Sequence, residues 1–226
     1  SISRRIPVPV LQPRLELCLP TGVALDESSR VLVVADEGGA AVALARKLRG
    51  RKAADVKVQP DSSDEFRKKL LDLQKEGPFD GVYFLPGLDG EPAITVMNLE
   101  EWNNLLETRL FALDGVLRGL PEKAFLVCAT RMGGLHGYGP QPDAAAMSGS
   151  TRGLAKAIAR EREGMLVKVV DFESVASHAQ VANCLIEETL SDSSLVEVGR
   201  EGDLRFGVAL TGQALSTQLT GIEVMA

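Results

Sequence analysis

Apolar residues along this chain come in two rhythms. The run Arg30-Val31-Leu32-Val33-Val34-Ala35 is continuous and β-branched, as in a strand buried on both faces. Asp55-Val56-Lys57-Val58-Gln59, Phe79 to Leu85, Ala124 to Ala129 and Met165 to Phe172 read the same way. Between them lie stretches with helical spacing. Residues 40–50 form one apolar face. Residues 64–75 place Phe66, Leu70, Leu71 and Leu73 on one side, with N-cap residues at 61–63. Asn98 is placed to cap a long helix to Leu120 carrying Trp102, Leu105, Leu106, Leu110 and Leu113. Residues 143–163 and 174–190 complete the helices. Arg14 to Leu19 alternates apolar and polar residues, which predicts a half-exposed strand. Residues 195–210 predict two short strands around a Gly-Arg-Glu-Gly-Asp turn.

Strands alternating with helices at these lengths imply an α/β fold, a Rossmann-like doubly wound parallel sheet with helices on both faces. Six or seven strands are expected, joined by right-handed crossovers. The chain reads as one domain over residues 1–226. Residues 1–27 form an N-terminal strand or extension, 28–191 the α/β core, and 192–226 a C-terminal hairpin and tail.

Composition narrows the function classes. Net charge is −6, which argues against nucleic acid or an anionic membrane as partner. No apolar run is long enough to span a bilayer. The proline-broken start does not read as a signal peptide, and a cytoplasmic location is expected. Cys18, Cys128 and Cys184 are odd in number and far apart, so free thiols are expected and no metal spacing exists. There is no Gly-x-Ser-x-Gly elbow and no phosphate-binding Gly-Lys-Ser/Thr motif. Arg131 on a glycine-rich loop is either an anion ligand or simply solvated, and solvation is the expectation. His178 is expected at the surface or in packing.

Residues 143–163, DAAAMSGSTRGLAKAIARERE, resemble the catalytic helix of the short-chain dehydrogenases/reductases. With Gly153-Leu154 on the family's Gly-Leu, the catalytic Tyr position falls on Met147 and the Lys position on Thr151. Reductase chemistry needs a phenol to protonate the carbonyl oxygen and an ammonium to lower the phenol's pKa. Met147 and Thr151 supply neither. The family's Thr-Gly-x-x-x-Gly-x-Gly phosphate turn aligns with Val34 to Ala41, where Gly39 survives beside Gly38 and Ala35 and Ala41 replace the outer glycines. Their methyls narrow the approach, and Asp36 and Glu37 repel a pyrophosphate, so a purely structural turn is expected. Leu85-Pro86-Gly87 stands where active relatives have an Asn-Ala-Gly-like segment. The family's relay Asn falls on Arg109, expected as a solvated helix residue. Thr130 takes the catalytic Ser position. Tyr138 and His136 lie in the loop before the helix and could act as acid groups at shifted positions, but no Lys follows Tyr138 at the needed spacing.

Residues 79–172 resemble the ketoreductase regions of multidomain polyketide and polyunsaturated-fatty-acid synthases. Thr130-Arg131, Gly133-Gly134, Gly153-Leu154 through Glu161, and Val169-Val170-Asp171-Phe172 carry that resemblance, with Glu197 to Phe206 similar to the hairpin joining the two subdomains. It implies a degenerate, non-catalytic copy bracing a catalytic one. Expected partners are therefore a catalytic ketoreductase subdomain or other synthase domains, with acyl carrier protein or a homodimer as further arrangements. No catalytic residue is expected and no cofactor. Gly38, Gly39, Asp61 and Gly87 are the cofactor-binding candidates if NADPH binds. The alternatives are an active NADPH-dependent reductase using displaced residues, and a regulatory module binding an acyl chain, carrier protein or nucleotide.

Overall fold

A computed structural model describes residues 4–61, 63–139, 145 and 147–213. The strands are β1 (Arg4–Leu11), β2 (Arg30–Val34), β3 (Ala54–Val58), β4 (Gly81–Phe84), β5 (Phe125–Thr130), β6 (Val167–Phe172), β7 (Glu197–Glu201) and β8 (Leu204–Gln213). The helices are α1 (Ala40–Gly50), α2 (Asp64–Lys75), α3 (Leu99–Leu106), α4 (Ala112–Gly119), α5 (Ser148–Glu161) and α6 (His178–Leu190). All eight strands form one sheet in the order β1-β8-β7-β6-β5-β4-β2-β3. The six from β3 to β7 run parallel. β8 and β1 are antiparallel additions at one edge. The sheet thus has the Rossmann-like arrangement with eight strands rather than six or seven, because the proline-containing start pairs as a strand.

Strand alternation sends successive side chains to opposite layers. Val31, Val33, Tyr83, Val127, Ala129, Val170 and Phe172 pack against α1 and α6, in a cluster holding Leu44, Leu48, Val181 and Leu185. Leu32, Val34, Val82, Phe84, Leu126, Cys128, Val167 and Val169 face the other way, with Phe66, Leu70, Leu113, Val116 and Ile158. Caps set the helix starts. Ser63 Oγ accepts from Phe66 N at 3.1 Å, and Asn98 forms a reciprocal capping box with Glu101. Ser177 does the same with Gln180, so α6 begins at His178 rather than at Ser174.

Three expectations change. Arg14 to Leu19 is not a strand. A single 3-10 turn, Leu15–Leu17, occupies it. Prolines at 13 and 20 bracket the segment, and Leu17 and Leu19 stay more than 80% or nearly 80% exposed. The helix after Asn98 is interrupted by a π-helical turn, Glu107–Phe111, between α3 and α4. The helix expected from Asp143 starts at Ser148, and residues 140–144 and 146 fall outside the described residues.

The edge strand has a definite polarity of hydrogen bonding. β1 pairs with β8 in a register that sets Pro7 opposite Leu210 and Pro9 opposite Val208. Gln12 N, the next residue in that register, donates to Arg205 O at 2.8 Å. Even-numbered residues therefore bond β8, and the odd-numbered ones, Pro7 and Pro9 among them, turn their backbone groups away from the sheet. β7 pairs only with Leu204, Arg205 and Phe206 of β8. Residues 207–213 pair with β1 alone.

Candidate functional site

In a doubly wound sheet, ligand chemistry gathers at the carboxyl ends of the parallel strands. Here that end is filled by the protein's own carboxylates. β2 runs into Ala35, Asp36 and Glu37, and α1 starts after Gly39, which holds φ 106°. No residue with a Cβ adopts that angle readily. The Asp36 carboxylate folds back over the helix start. Oδ2 accepts from Ala40 N at 2.8 Å and Oδ1 from Ala41 N at 2.7 Å. Asp36 is buried. A third amide of the turn, Glu37 N, donates to Asp89 Oδ1 at 2.8 Å. These are the N–H groups with which a helix N-terminus binds an anion. Ala35 and Ala41 lie in the core beneath. Asp36 thus closes the turn by taking its donors, a tighter effect than the repulsion expected from sequence. Gly38 and Gly39 abut the exposed His178 ring, which a Cβ at Gly39 would meet at 3.6 Å.

The other candidate residues are drawn into internal bonds. Thr130, at the end of β5, is fully buried and donates to Asp171 Oδ1 at 2.7 Å. The same carboxylate accepts from Met132 N at 2.7 Å and His136 N at 2.8 Å, so Asp171 organises the whole loop after β5. Met147 is the buried residue before α5, and its N–H donates to Glu91 Oε2 at 2.8 Å. Thr151 is fully buried and donates to Arg109 O at 3.0 Å. Gly87 approaches β5 so closely that a Cβ there would stand 2.6 Å from Ala129 O. Its carbonyl accepts from Ser148 Oγ and Arg131 N, both at 3.1 Å. Asp61 lies in the turn before α2, accepting from Ser63 N at 2.8 Å and Ser63 Oγ at 2.9 Å. Asp61 therefore shapes a helix entry, away from Gly38 and Gly39 in bonding.

Arg109 is a correction. It is not solvated but only 3% exposed, carried inward by the π turn. Its neighbours are Glu91 Oε1 at 3.6 Å from Nε and Asp89 Oδ2 at 4.0 Å from Nη1. Burial pulls its pKa down, and Asp89 and Glu91 pull it partly back. Burial likewise raises Asp89 above the usual carboxylate range, against the bond from Glu37 and the Arg109 charge. Arg131 reaches the carbonyls of Ser174 at 3.3 Å and Ala176 at 3.4 Å.

Of the two displaced acid candidates, Tyr138 is exposed and His136 is buried. Tyr138 accepts from Arg152 Nη2 at 3.1 Å, with that guanidinium 5.0 Å from its ring centroid. His136 is 2% exposed with neither ring nitrogen partnered among the described residues. Burial holds its imidazole down to about 4, with Asp171 pulling the other way.

A second buried charge cluster, which no sequence pattern marks, lies between α6 and the strands. Glu188 on α6 is fully buried and accepts from Lys168 Nζ of β6 at 2.8 Å, Arg200 of β7 at 2.7 Å and Arg205 of β8 at 2.7 and 2.9 Å. Arg205 also reaches Asp192 at 2.5 Å. Burial opposes the Asp192 charge, but bonds from Ser194 and Arg205 outweigh it and bring the carboxyl to about 2. Among the described residues no helix is long and apolar enough to cross a membrane, and no group of three or more metal-ligating side chains gathers.

No protein-family model matches the chain. Over 158 residues it is 27% identical to a 3-oxoacyl-[acyl-carrier-protein] reductase FabG of Aggregatibacter actinomycetemcomitans, a match covering 66% of this chain and 63% of that relative. A multidomain structure with adenylation, ketoreductase and pseudo Asub domains, from a keto acid-selecting NRPS module, superposes on 93% of this chain with a TM-score of 0.70 and 14% identity. This chain spans only 18% of that one. A small-chain dehydrogenase superposes on 77% of the chain at TM-score 0.60 and 14% identity, with 98% of its own length covered. A gluconate 5-dehydrogenase of Burkholderia cenocepacia, in complex with NADP and tartrate, superposes on 71% at TM-score 0.54 and 15% identity, with 78% of its own length covered. The chain has the Rossmann-like fold of these dehydrogenases, and its sequence is similar to that of a 3-oxoacyl-[acyl-carrier-protein] reductase.

Proposed function

We propose that this chain is a non-catalytic, structural ketoreductase-like subdomain of a multidomain fatty-acid or polyketide-type synthase, bracing a catalytic ketoreductase subdomain or another synthase domain. The observation that carries this reading is the Asp36 carboxylate bonded to Ala40 N and Ala41 N. A pyrophosphate needs those donors, and to gain them it must displace a buried carboxylate and then sit beside it. Charge repulsion at such range, with little water between, opposes that exchange strongly. The chemistry is missing at the other end of the site as well. A phenol and an ammonium are replaced by Met147 and Thr151, and the Thr130 hydroxyl is committed to Asp171. The ribbon of β1 with residues 207–213 of β8 supports the bracing role. It leaves Leu11 and Leu210 more than 60% exposed, on a two-stranded unit that is only marginally stable by itself.

Fluorescence titration with NADPH, followed by assay with a β-ketoacyl thioester, tests the reading. No saturable NADPH binding and no turnover are expected. Micromolar binding with turnover would establish the alternative, a reductase working through displaced residues.

A further inference from the structure

A cavity of about 190 Å³ opens beside the closed phosphate turn, lined by Glu37, Asp89, Glu101, Asn104, Thr108 and Arg109, with Leu105 and prolines as its apolar wall. The side chain of Arg109 is 4% exposed, yet all of its contacts are long. Nη1 lies 3.5 Å from Thr108 Oγ1 and 4.0 Å from Asp89 Oδ2, Nη2 lies 3.4 Å from Asp89 O, and Nε faces Glu91 Oε1 at 3.6 Å with no hydrogen-bond partner among the described residues. Good N–H···O bonds fall near 2.7–3.2 Å. A buried guanidinium whose contacts are all longer than a good hydrogen bond, at the wall of a cavity, keeps donor capacity for a further acceptor.

We propose that this cavity binds a small amino acid as its zwitterion. The carboxylate is received by the Arg109 fork, a planar pair of donors matched to two oxygens. The ammonium is received by the wall carboxylates, Glu37 first, with Asp89 and Glu101 contributing charge while they also accept from the amides of Glu37 and Asn98. A phosphate ester would bring added negative charge against three carboxylates, and a simple carboxylic acid would leave them unanswered. The proposal stands independently of whether the chain is catalytic, since none of these groups belongs to the reductase positions except Arg109.

Saturation-transfer NMR and thermal-shift titration of the whole chain test it, using free L-amino acids and ω-amino acids, with acetate and methylammonium as the separate halves. At least one amino acid is expected to bind saturably at millimolar concentration or below, and more tightly than either half. Arg109→Lys keeps the charge but removes the fork, and is expected to weaken that amino acid about tenfold. Glu37→Gln removes an exposed wall charge without touching the core and is expected to weaken it as well. Should Arg109→Lys fail to fold, Glu37→Gln decides. No saturable binding by any amino acid, or binding unchanged in the folded variants, overturns the proposal.

Discussion

Single side chains decide the chemistry of this molecule. Gly39 is the N-cap residue of α1, and the Asp36 side chain, three residues upstream, accepts from the first two amides of the helix, so its removal leaves both without partners. Asp36→Ala is expected to lower stability by about 1 kcal/mol, the usual worth of a cap, read from the urea midpoint. His136 gives the chain a pH dependence. Its pKa is depressed from 6.5 to about 4 in the folded protein, so unfolding takes up a proton between those values. Its contribution is whole above pH 6.5 and is lost as pH falls toward 4. Fully developed, that loss amounts to roughly 3 kcal/mol. His136 sits at φ 54°, an angle Asn tolerates. Urea midpoints of His136→Asn and the parent chain, compared across this range, are expected to converge as the pH drops. Parallel curves would mean that the imidazole is not kept neutral by the fold.

Between elements, the Glu188 cluster ties α6, β6, β7 and β8 together through one carboxylate. Glu188→Ala leaves Lys168, Arg200 and Arg205 buried with Asp192 as their remaining acid, and is expected to cost about 3–5 kcal/mol in denaturant unfolding. A second contact fixes the loop after β5 onto β7. A methyl at Gly199 would overlap the Gly134 carbonyl oxygen. These details explain what the sequence does and does not reveal. β-branched runs and Ser or Asn caps act locally, so β2 to β6 and the starts of α2 and α3 could be read directly. Lys168 and Glu188 look like surface charges, because nothing in a strand or an amphipathic helix tells that two of them meet inside. Arg109 is hidden for the same reason, since the π turn that rotates it inward has no local signature. That Met147 carries no ionisable proton and Thr151 no charge is legible from the residue types alone, whatever role those positions have. The occupation of the phosphate turn by Asp36 was only half legible: its charge shows in the sequence, and its hydrogen bonds need the fold.

At the scale of the whole molecule, the proposed function can be tested at both ends of the site. Met147→Tyr with Thr151→Lys supplies a phenol and an ammonium one helical turn apart. No NADPH-dependent reductase activity is expected from the double variant, because Asp36 and Asp89 still hold the amides of Glu37, Ala40 and Ala41. Its thermal midpoint is also expected to fall. The new ammonium would lie in a fully buried position whose present hydroxyl serves the Arg109 carbonyl. Ketone reduction by the double variant, absent from the parent, would mean that the dinucleotide can displace both carboxylates.

The outward row of β1 has a consequence for how this protein meets other chains. An incoming strand reads an edge by its alternation of donors and acceptors, and at positions 7 and 9 this edge offers acceptors only. A neighbour aligned there would leave its own carbonyls unanswered, twice in succession. Sheet-to-sheet growth, whether into a continuous dimer or a fibril, is thus opposed at this margin, where Leu11 and Leu210 are exposed. Association through this side must be made by side chains, which can select a partner, rather than by backbone pairing, which takes any strand.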